Sequence, residues 1–309
     1  MRIAVVGAGG VGGYFGGRLV EAGEQVVFLA RGLQLQALRT TGLTIESPRG
    51  NAVLGPQRAS DDPAELGRVD AVLLCVKTWQ LADTVPALHP LLGPETCVVP
   101  FQNGVEAADR LVEVLGPAPV LGGVAKIVAF MEAPGCIRDV GGPTAAAFAE
   151  LDNRPSPRVD RLRDAFRRAR LDVEAPTDIR AAVWAKFLFV ASAGGVGAVA
   201  RQPIGVLRRV SETRRLLEGA MAEIAALAGA LGVCLPDAIV ARTMAFVDTL
   251  PAEGTASLQR DIADGRRSEL DAWSGAVVRL GRQANVPTPI HGFIYDSLLP
   301  AELRARGLL

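Results

Sequence analysis

A chain of 309 residues is longer than one hydrophobic core usually supports, and 49% apolar with 21% charged residues is an ordinary globular balance, so two packed domains are expected. Its 33 basic and 33 acidic side chains cancel, which removes the broad positive field that would draw nucleic acid or an anionic membrane, and leaves small molecules as the expected partners. Cys75, Cys97, Cys136 and Cys234 form no C-x-x-C pair for zinc or redox chemistry, and read as free thiols of a cytoplasmic protein.

Residues 2–6 are a short apolar run that ends in Gly7-Ala8-Gly9-Gly10-Val11-Gly12. From Gly13 the spacing of Phe15, Leu19 and Val20 turns helical as far as Gly23, and 25–30 is a second β-branched run. This predicts a βαβ unit, and no basic segment with an apolar stretch and cleavage site precedes it, so no export signal is expected. At G-x-G-x-x-G spacing, Gly7 permits the tight turn, Gly9 lets the backbone approach a pyrophosphate and Gly12 lets helix and strand pack closely. Gly10 and Val11 open a helix whose free N–H groups and dipole point at the phosphates, so in this strand-turn-helix context the pattern predicts dinucleotide binding. An NAD site would carry Asp or Glu at the end of the second strand. This chain has Arg31 there, which can pair with a 2′-phosphate, so NADPH is the expected cofactor.

Further on, 43–47 and 51–54 flank Pro48-Arg49-Gly50 as a small hairpin, and 69–76 and 96–101 fit buried parallel strands. Polar clusters follow these strands, Lys77-Thr78-Trp79-Gln80 and Gln102-Asn103-Gly104, at the strand ends where open α/β sheets bind ligands. Asn103 also fits a left-handed turn before Gly104. The glycine-rich stretch 120–149, with 126–131 and 136–140 as candidate strands, reads as antiparallel additions to the sheet. A helix at 158–170 and a strand at 171–174 follow, and beyond Thr177 the pattern is helical without strands. The boundary is expected near Pro176: an α/β, Rossmann-type doubly wound domain over 1–176 and an all-helical domain over 177–309. Its main helices are 180–200, 211–232, 236–250 and 268–284, with Leu270, Trp273, Val277 and Leu280 a core stripe in the last. The apolar run 187–200 is short and glycine-rich for a bilayer span and is expected to be a buried helix.

Lys77, Lys126 and Lys186 are the only lysines among the 33 basic residues, and an ammonium, unlike a guanidinium, can release its proton near neutral pH. Hydride addition to a carbonyl leaves an alkoxide that needs such a donor. His89, before Pro90, and His291, beside a Gly-Phe turn, neither follow a strand edge nor join a polar cluster. Lys186, in Val183-Trp184-Ala185-Lys186-Phe187-Leu188-Phe189, lies on an apolar helix whose burial would lower its pKa. A snorkelling lysine fits that motif equally well.

Taken in order and spacing, G-A-G-G-V-G, V-K-T-W-Q, Q-N-G, the W-x-K helix, S-L-Q-R-D and S-E-L-D resemble the ketopantoate reductase (2-dehydropantoate 2-reductase) family from Arg2 to about Pro289. The resemblance implies an NADP-dependent oxidoreductase acting on CH–OH groups, reducing ketopantoate to pantoate in pantothenate biosynthesis. It implies Lys186 as general acid, Glu269 close by supporting its charge, Ser257 hydrogen-bonding the substrate, and Asn103 and Lys77 at the cofactor and substrate crevice. The partners expected are a 2-keto acid and a second copy of the chain in a homodimer, with no metal, nucleic acid or membrane. Read alone, Glu269 fits a first-turn helix acid and Ser257 a surface helix residue. The chain departs from the family pattern where asparagines stand four and eight residues after the helix lysine. Val190 and Gly194 occupy those positions, so a more apolar 2-keto acid competes as substrate. Two other readings are a related 3-hydroxy acid or glycerol phosphate dehydrogenase, and a non-catalytic NADPH-binding sensor.

Overall fold

The computed structural model describes every residue from Met1 to Leu309. The chain folds as two compact units, Met1–Gln102 with Ala107–Ile179 and Asn103–Glu106 with Arg180–Leu309. The short segment Asn103–Glu106, read in the sequence as part of the N-terminal domain, thus belongs with the helices.

In chain order the strands of the first unit are β1 (Arg2–Val6), β2 (Gln25–Leu29), β3 (Leu43–Glu46), β4 (Ala52–Leu54), β5 (Ala59–Ser60), β6 (Ala71–Leu74), β7 (Cys97–Pro100), β8 (Leu121–Lys126), β9 (Ala129–Ala133), β10 (Cys136–Asp139), β11 (Ala145–Glu150) and β12 (Asp172–Glu174). Its helices are α1 (Gly10–Glu21), α2 (Gly32–Thr40), α3 (Pro63–Leu66), α4 (Leu81–Thr84), α5 (Ala107–Leu115) and α6 (Pro157–Arg168). A wholly parallel sheet has the order β5-β2-β1-β6-β7. β6 and β7 are buried throughout and β1 after Arg2, which is why they read as unbroken apolar runs rather than alternating ones. The winding reverses between β1 and β6, the switch point at whose carboxyl edge ligands bind in such sheets.

The strands expected in 120–149 do pair antiparallel, β8 with β11 and β9 with β10, but the expectation that they extend this sheet is corrected. These residues build two separate sheets, β4-β3-β10-β9 and β12-β11-β8, in which β3 pairs with β10 and β11 with β12 in parallel. Nor is 126–131 one strand, since β8 ends at Lys126 and β9 starts at Ala129. The predicted hairpin at 43–54 forms, as the antiparallel pair β3 and β4. The physical reason for the second sheet lies in α1, which is buried on two sides. A Cβ at Gly16 would stand 2.6 Å from the Phe28 ring on β2, and one at Gly17 would stand 2.6 Å from Ile45 Cδ1 on β3. Gly12 and Gly13 repeat this pairing one turn earlier, against Val5 on one side and Ile137 on the other. Glycines four apart on both faces make the helix thin enough to be sandwiched. The rings of Phe15, Phe101, Phe148 and Phe166 join below it, with centroids 5.3 to 6.5 Å apart in tilted and edge-on pairs.

The second unit contains α7 (Ile179–Ala200), α8 (Ile204–Arg209), α9 (Ser211–Ala230), α10 (Ile239–Thr249), α11 (Ser257–Ala263), α12 (Ser274–Ala284) and α13 (Pro289–Ala305), with no strand. α7 matches the helix expected over 180–200 to within one residue, and at 22 residues it reaches about 33 Å, a length that alone would cross a bilayer. Phe187, Leu188, Ala191 and Val196 are buried in this unit's own core and every residue from Ala191 to Ala198 is buried, so the second half of the helix is apolar all round because it is packed all round. The single helix expected over 268–284 is corrected as well. A 3-10 turn at Leu270–Ala272 precedes a break at Trp273, and only then does α12 begin. Periodicity reads through the break because Leu270, Trp273 and Val277 are all buried on the same side.

His291 lies in the first turn of α13, not beside a turn, and is fully buried. Its Nδ1 lies 3.2 Å from Ser274 Oγ and its Nε2 3.2 Å from the Ala220 carbonyl. Burial pushes its pKa down to about 4, although the Ala220 carbonyl pulls the other way. Between pH 6.5 and 4 the unfolded chain therefore binds a proton here that the folded chain refuses, so stability is full above about 6.5 and falls with acid. The loss is on the order of 3 kcal/mol across that window. Glu223, whose pKa burial raises although the backbone N–H groups of His291 and Ile290 pull it down, works in the opposite direction through its own titration. The urea midpoint of the wild type is expected to drop between pH 6.5 and 4.5 more steeply than that of His291→Gln; parallel curves would refute this role.

Candidate active site

The glycine turn sits at the carboxyl end of β1. Gly7 has φ +93°, and a Cβ there would lie 2.8 Å from the Val76 amide nitrogen, so both backbone and space demand glycine. At Gly12 a Cβ would be 2.1 Å from the Gly7 carbonyl oxygen, and at Gly10 2.2 Å from that of Ala129 on β9. Gly9 differs, since a Cβ there meets nothing within 4 Å. Its space is open on the side where an approaching diphosphate would need it. The N-terminus of α1, which Val11 helps to open, has no side-chain cap and no acid in its first turn, leaving its N–H groups to an anion. Gln34, unremarked in the sequence, braces this turn: its buried amide donates to the Ala8 carbonyl at 2.8 Å and accepts from Gly135 N–H at 2.7 Å.

Arg31 follows β2 at the N-cap of α2, exposed, with its guanidinium in no ion pair. Lys77 caps the 3-10 turn after β6, where its N–H donates to Gln80 Oε1 and its ammonium lies 5.6 Å from the centre of the Trp79 ring. Gln102, at the end of β7, donates to the carbonyls of Leu74 and Val76 at 3.0 Å each, tying the ends of β6 and β7 together. Gly7, Arg31, Lys77 and Gln102 thus all mark the carboxyl edge of the parallel sheet. Lys126 is held by Glu174 at 2.6 Å on an exposed surface, a pair worth at most about 1 kcal/mol.

In the helical unit the candidate residues gather around α7. Lys186, half-buried, donates from Nζ to Asn103 Oδ1 at 2.7 Å. The left-handed turn expected at Asn103 falls instead on Gly104, which takes φ +118° while Asn103 is not among the residues with positive φ, so of its two readings only the contact with Lys186 holds. A Cβ on Gly104 would be 3.3 Å from the Ala272 carbonyl, which seats the segment on the 3-10 turn whose N-cap is Glu269. Glu269 is buried at that cap, so it precedes a 3-10 turn and not the first turn of a long helix. Ser257 is half-buried at the first position of α11, and its hydroxyl has no protein partner.

Val190 and Gly194 follow Lys186 at intervals of four, along one face of α7. At Gly194 a Cβ would be 2.5 Å from Cζ3 of Trp273 and 3.3 Å from the Cβ of Ala256. The indole fills the space any longer side chain would take, so the absence of asparagine there follows from packing. Ala256 immediately precedes Ser257 and Trp273 follows the Glu269 turn, so both segments reach α7 at Gly194, about two turns past Lys186.

A parallel sheet with an open glycine cradle at its switch point, joined to a helical unit carrying a lysine–asparagine pair, defines a two-domain oxidoreductase that uses a nicotinamide dinucleotide. The model described as ketopantoate reductase PanE/ApbA matches residues 3–153, and that of the same family's C-terminal domain matches 178–302. The chain therefore belongs to the ketopantoate reductase family, enzymes acting on 2-keto acids and the matching CH–OH groups. A 2-dehydropantoate 2-reductase of Mesorhizobium japonicum is 31% identical over 94% of each chain. A PanE/ApbA family ketopantoate reductase of Ralstonia eutropha superposes with a TM-score of 0.90 at 31% identity, covering 99% of this chain and 100% of that one. A 2-dehydropantoate 2-reductase of Geobacter metallireducens gives 0.91 at 28% identity, over 97% and 100%.

Proposed function

We propose that this enzyme reduces a 2-keto acid with NADPH, converting ketopantoate to pantoate, and that Lys186 is its proton donor. The observation that carries this reading is the 2.7 Å hydrogen bond from Lys186 Nζ to Asn103 Oδ1 on an otherwise apolar stretch of α7. It orients an ammonium where few other donors could stand. The dinucleotide, held on Gly7, Gly9, Gly10, Val11 and Gly12, supplies the hydride when bound. Addition of hydride to the carbonyl carbon puts negative charge on its oxygen, and Lys186 donates a proton from Nζ to that oxygen. The neutral amine left behind regains a proton from water. Asn103 fixes the direction of the donor, Glu269 favours its charged form, and the free hydroxyl of Ser257 hydrogen-bonds the substrate. Lys77 is assigned to the cofactor side, at the sheet edge.

Arg31, exposed after β2 without a carboxylate partner, supports NADPH through its fit to a 2′-phosphate. Arg31→Ala is expected to lower kcat/KM for NADPH by about 10- to 100-fold, the value of one or two charge-assisted hydrogen bonds, and to change that for NADH less than threefold. Equal losses with both cofactors would remove Arg31 from cofactor choice.

A second reading of the substrate is favoured by one observation, the indole of Trp273 closed over Gly194 with Val190 beside it. That face of α7 offers hydrocarbon where an amide would read a hydroxyl, which suits a 2-keto acid with an apolar branch. The deciding assay is NADPH oxidation with ketopantoate and with the same acid lacking its terminal hydroxyl. A preference for ketopantoate of 100-fold or more supports the pantoate reaction, equal or reversed preference supports the apolar acid, and no oxidation with any 2-keto acid leaves a cofactor-binding protein without this activity.

A further inference from the structure

Ser268 and Asp271, the first and last residues of S-E-L-D, are fastened from outside the turn by α13. Glu302, fully buried, accepts from the Ser268 N–H at 2.9 Å and from its hydroxyl through Oε2, and accepts from Arg306 Nε at 2.6 Å through Oε1. Arg306 also donates from Nη2 to Asp271 Oδ2, and Tyr295 donates its hydroxyl to Asp271 Oδ1 at 2.8 Å. Arg279 of α12 donates to the Asp271 carbonyl at 3.1 Å. Ser268, Glu302, Arg306 and Asp271 thus close a ring of hydrogen bonds around Glu269 and Leu270. Burial would raise the pKa of Asp271, but the bonds from Arg306 and Tyr295 outweigh it and hold this carboxyl below its ordinary value.

A turn at this place could be held by apolar packing alone, and a charged network built on the fully buried Glu302 carboxylate is a costly substitute unless geometry matters more than stability. Both oxygens of Glu302 are engaged, so the buried centre of the network holds one arrangement stiffly. The Glu269 carbonyl accepts from Ala272 and Trp273 within the same turn, so the backbone of the acid has no slack. We propose that Glu302, with Tyr295 and Arg306, is a positioning residue of the active site: α13 sets the place of the Glu269 carboxylate, and through it the charge of Lys186. The inference rests on the proposed role of Glu269 beside Lys186.

The test is a double-mutant cycle in kcat for 2-keto acid reduction by the full chain, with Glu302→Gln, Glu269→Gln and the pair. Glu302→Gln keeps volume but turns an NH₂ group towards Ser268 or Arg306, and is expected to lower kcat about 10- to 50-fold with NADPH affinity within twofold of wild type. In the Glu269→Gln background the same change should cost less than threefold, because the residue it positions is already disabled. Multiplicative losses, or an unchanged kcat in Glu302→Gln, would overturn the proposal by reducing the ring to a structural brace. If Glu302→Gln does not fold, Tyr295→Phe, which removes one hydroxyl, takes its place, with an expected loss of about fivefold and the same non-additivity. A Glu269→Gln enzyme with wild-type kcat refutes the role of Glu269 and this proposal with it, whereas full Glu269 dependence with multiplicative losses refutes the proposal alone.

Discussion

Lys186→Ala is expected to lower kcat for 2-keto acid reduction by about 10²- to 10⁴-fold, on the order of 3 to 5 kcal/mol of transition-state stabilisation, with NADPH affinity unchanged. The size follows from the job: without a donor the developing alkoxide must be protonated by water, which is neither positioned nor acidic enough. Lys186→Arg should not restore the rate. A guanidinium keeps the charge but not a proton it can give up near neutral pH, and its planar fork does not reproduce the Nζ contact to Asn103. Stopped-flow single turnovers of the enzyme–NADPH complex would separate the chemical step from binding. A variant that retains more than a tenth of the wild-type kcat would exclude Lys186 as general acid, and rescue by arginine would reduce it to a positive charge.

The second large effect separates two glycines that look alike in the sequence. Gly12→Ala puts a methyl group 2.1 Å from the Gly7 carbonyl oxygen, a backbone atom that cannot yield without moving the turn. Alanine would gain up to about 1 kcal/mol in helix propensity, but overpacking of about 1 to 3 kcal/mol or more opposes it, so net destabilisation and loss of NADPH binding are both expected. Gly9→Ala meets nothing within 4 Å, and Gly9 has φ −78°, which alanine adopts freely. That variant should melt like the wild type without cofactor, yet bind NADPH at least tenfold more weakly, because its methyl group enters space reserved for the diphosphate. Calorimetry without ligand and titration by NADPH fluorescence check the pair. Unchanged affinity in Gly9→Ala would mean that the cofactor does not pass over this turn.

Much of this was legible before any coordinate. The glycine turn is a local signal, with strand, turn and helix inside 22 residues, and each element forms where its own residues direct it. Lys186 stood out because lysine is scarce in this chain and because no histidine offered a better donor. The second sheet was not legible. β3 and β10 pair across some 90 residues, and the cue for it, the second row of glycines at Gly13 and Gly17, looks in sequence like mere glycine richness. The break at Trp273 was hidden in the same way, since periodicity records which side is buried and not whether the backbone is continuous.

The sequence by itself determined the class of the N-terminal sheet, the cofactor turn, the helical character of the second half and the lysine on its central helix. Each depends on residues close together in the chain, where backbone stereochemistry and apolar spacing act directly. Only the tertiary structure decided that Asn103 belongs with the helices and reaches Lys186, that Trp273 occupies the space above Gly194, and that Glu302 holds the Glu269 turn. Those contacts join residues 34 to 83 positions apart. Their energies exist only once packing has brought the partners together, so no local pattern in the chain records them.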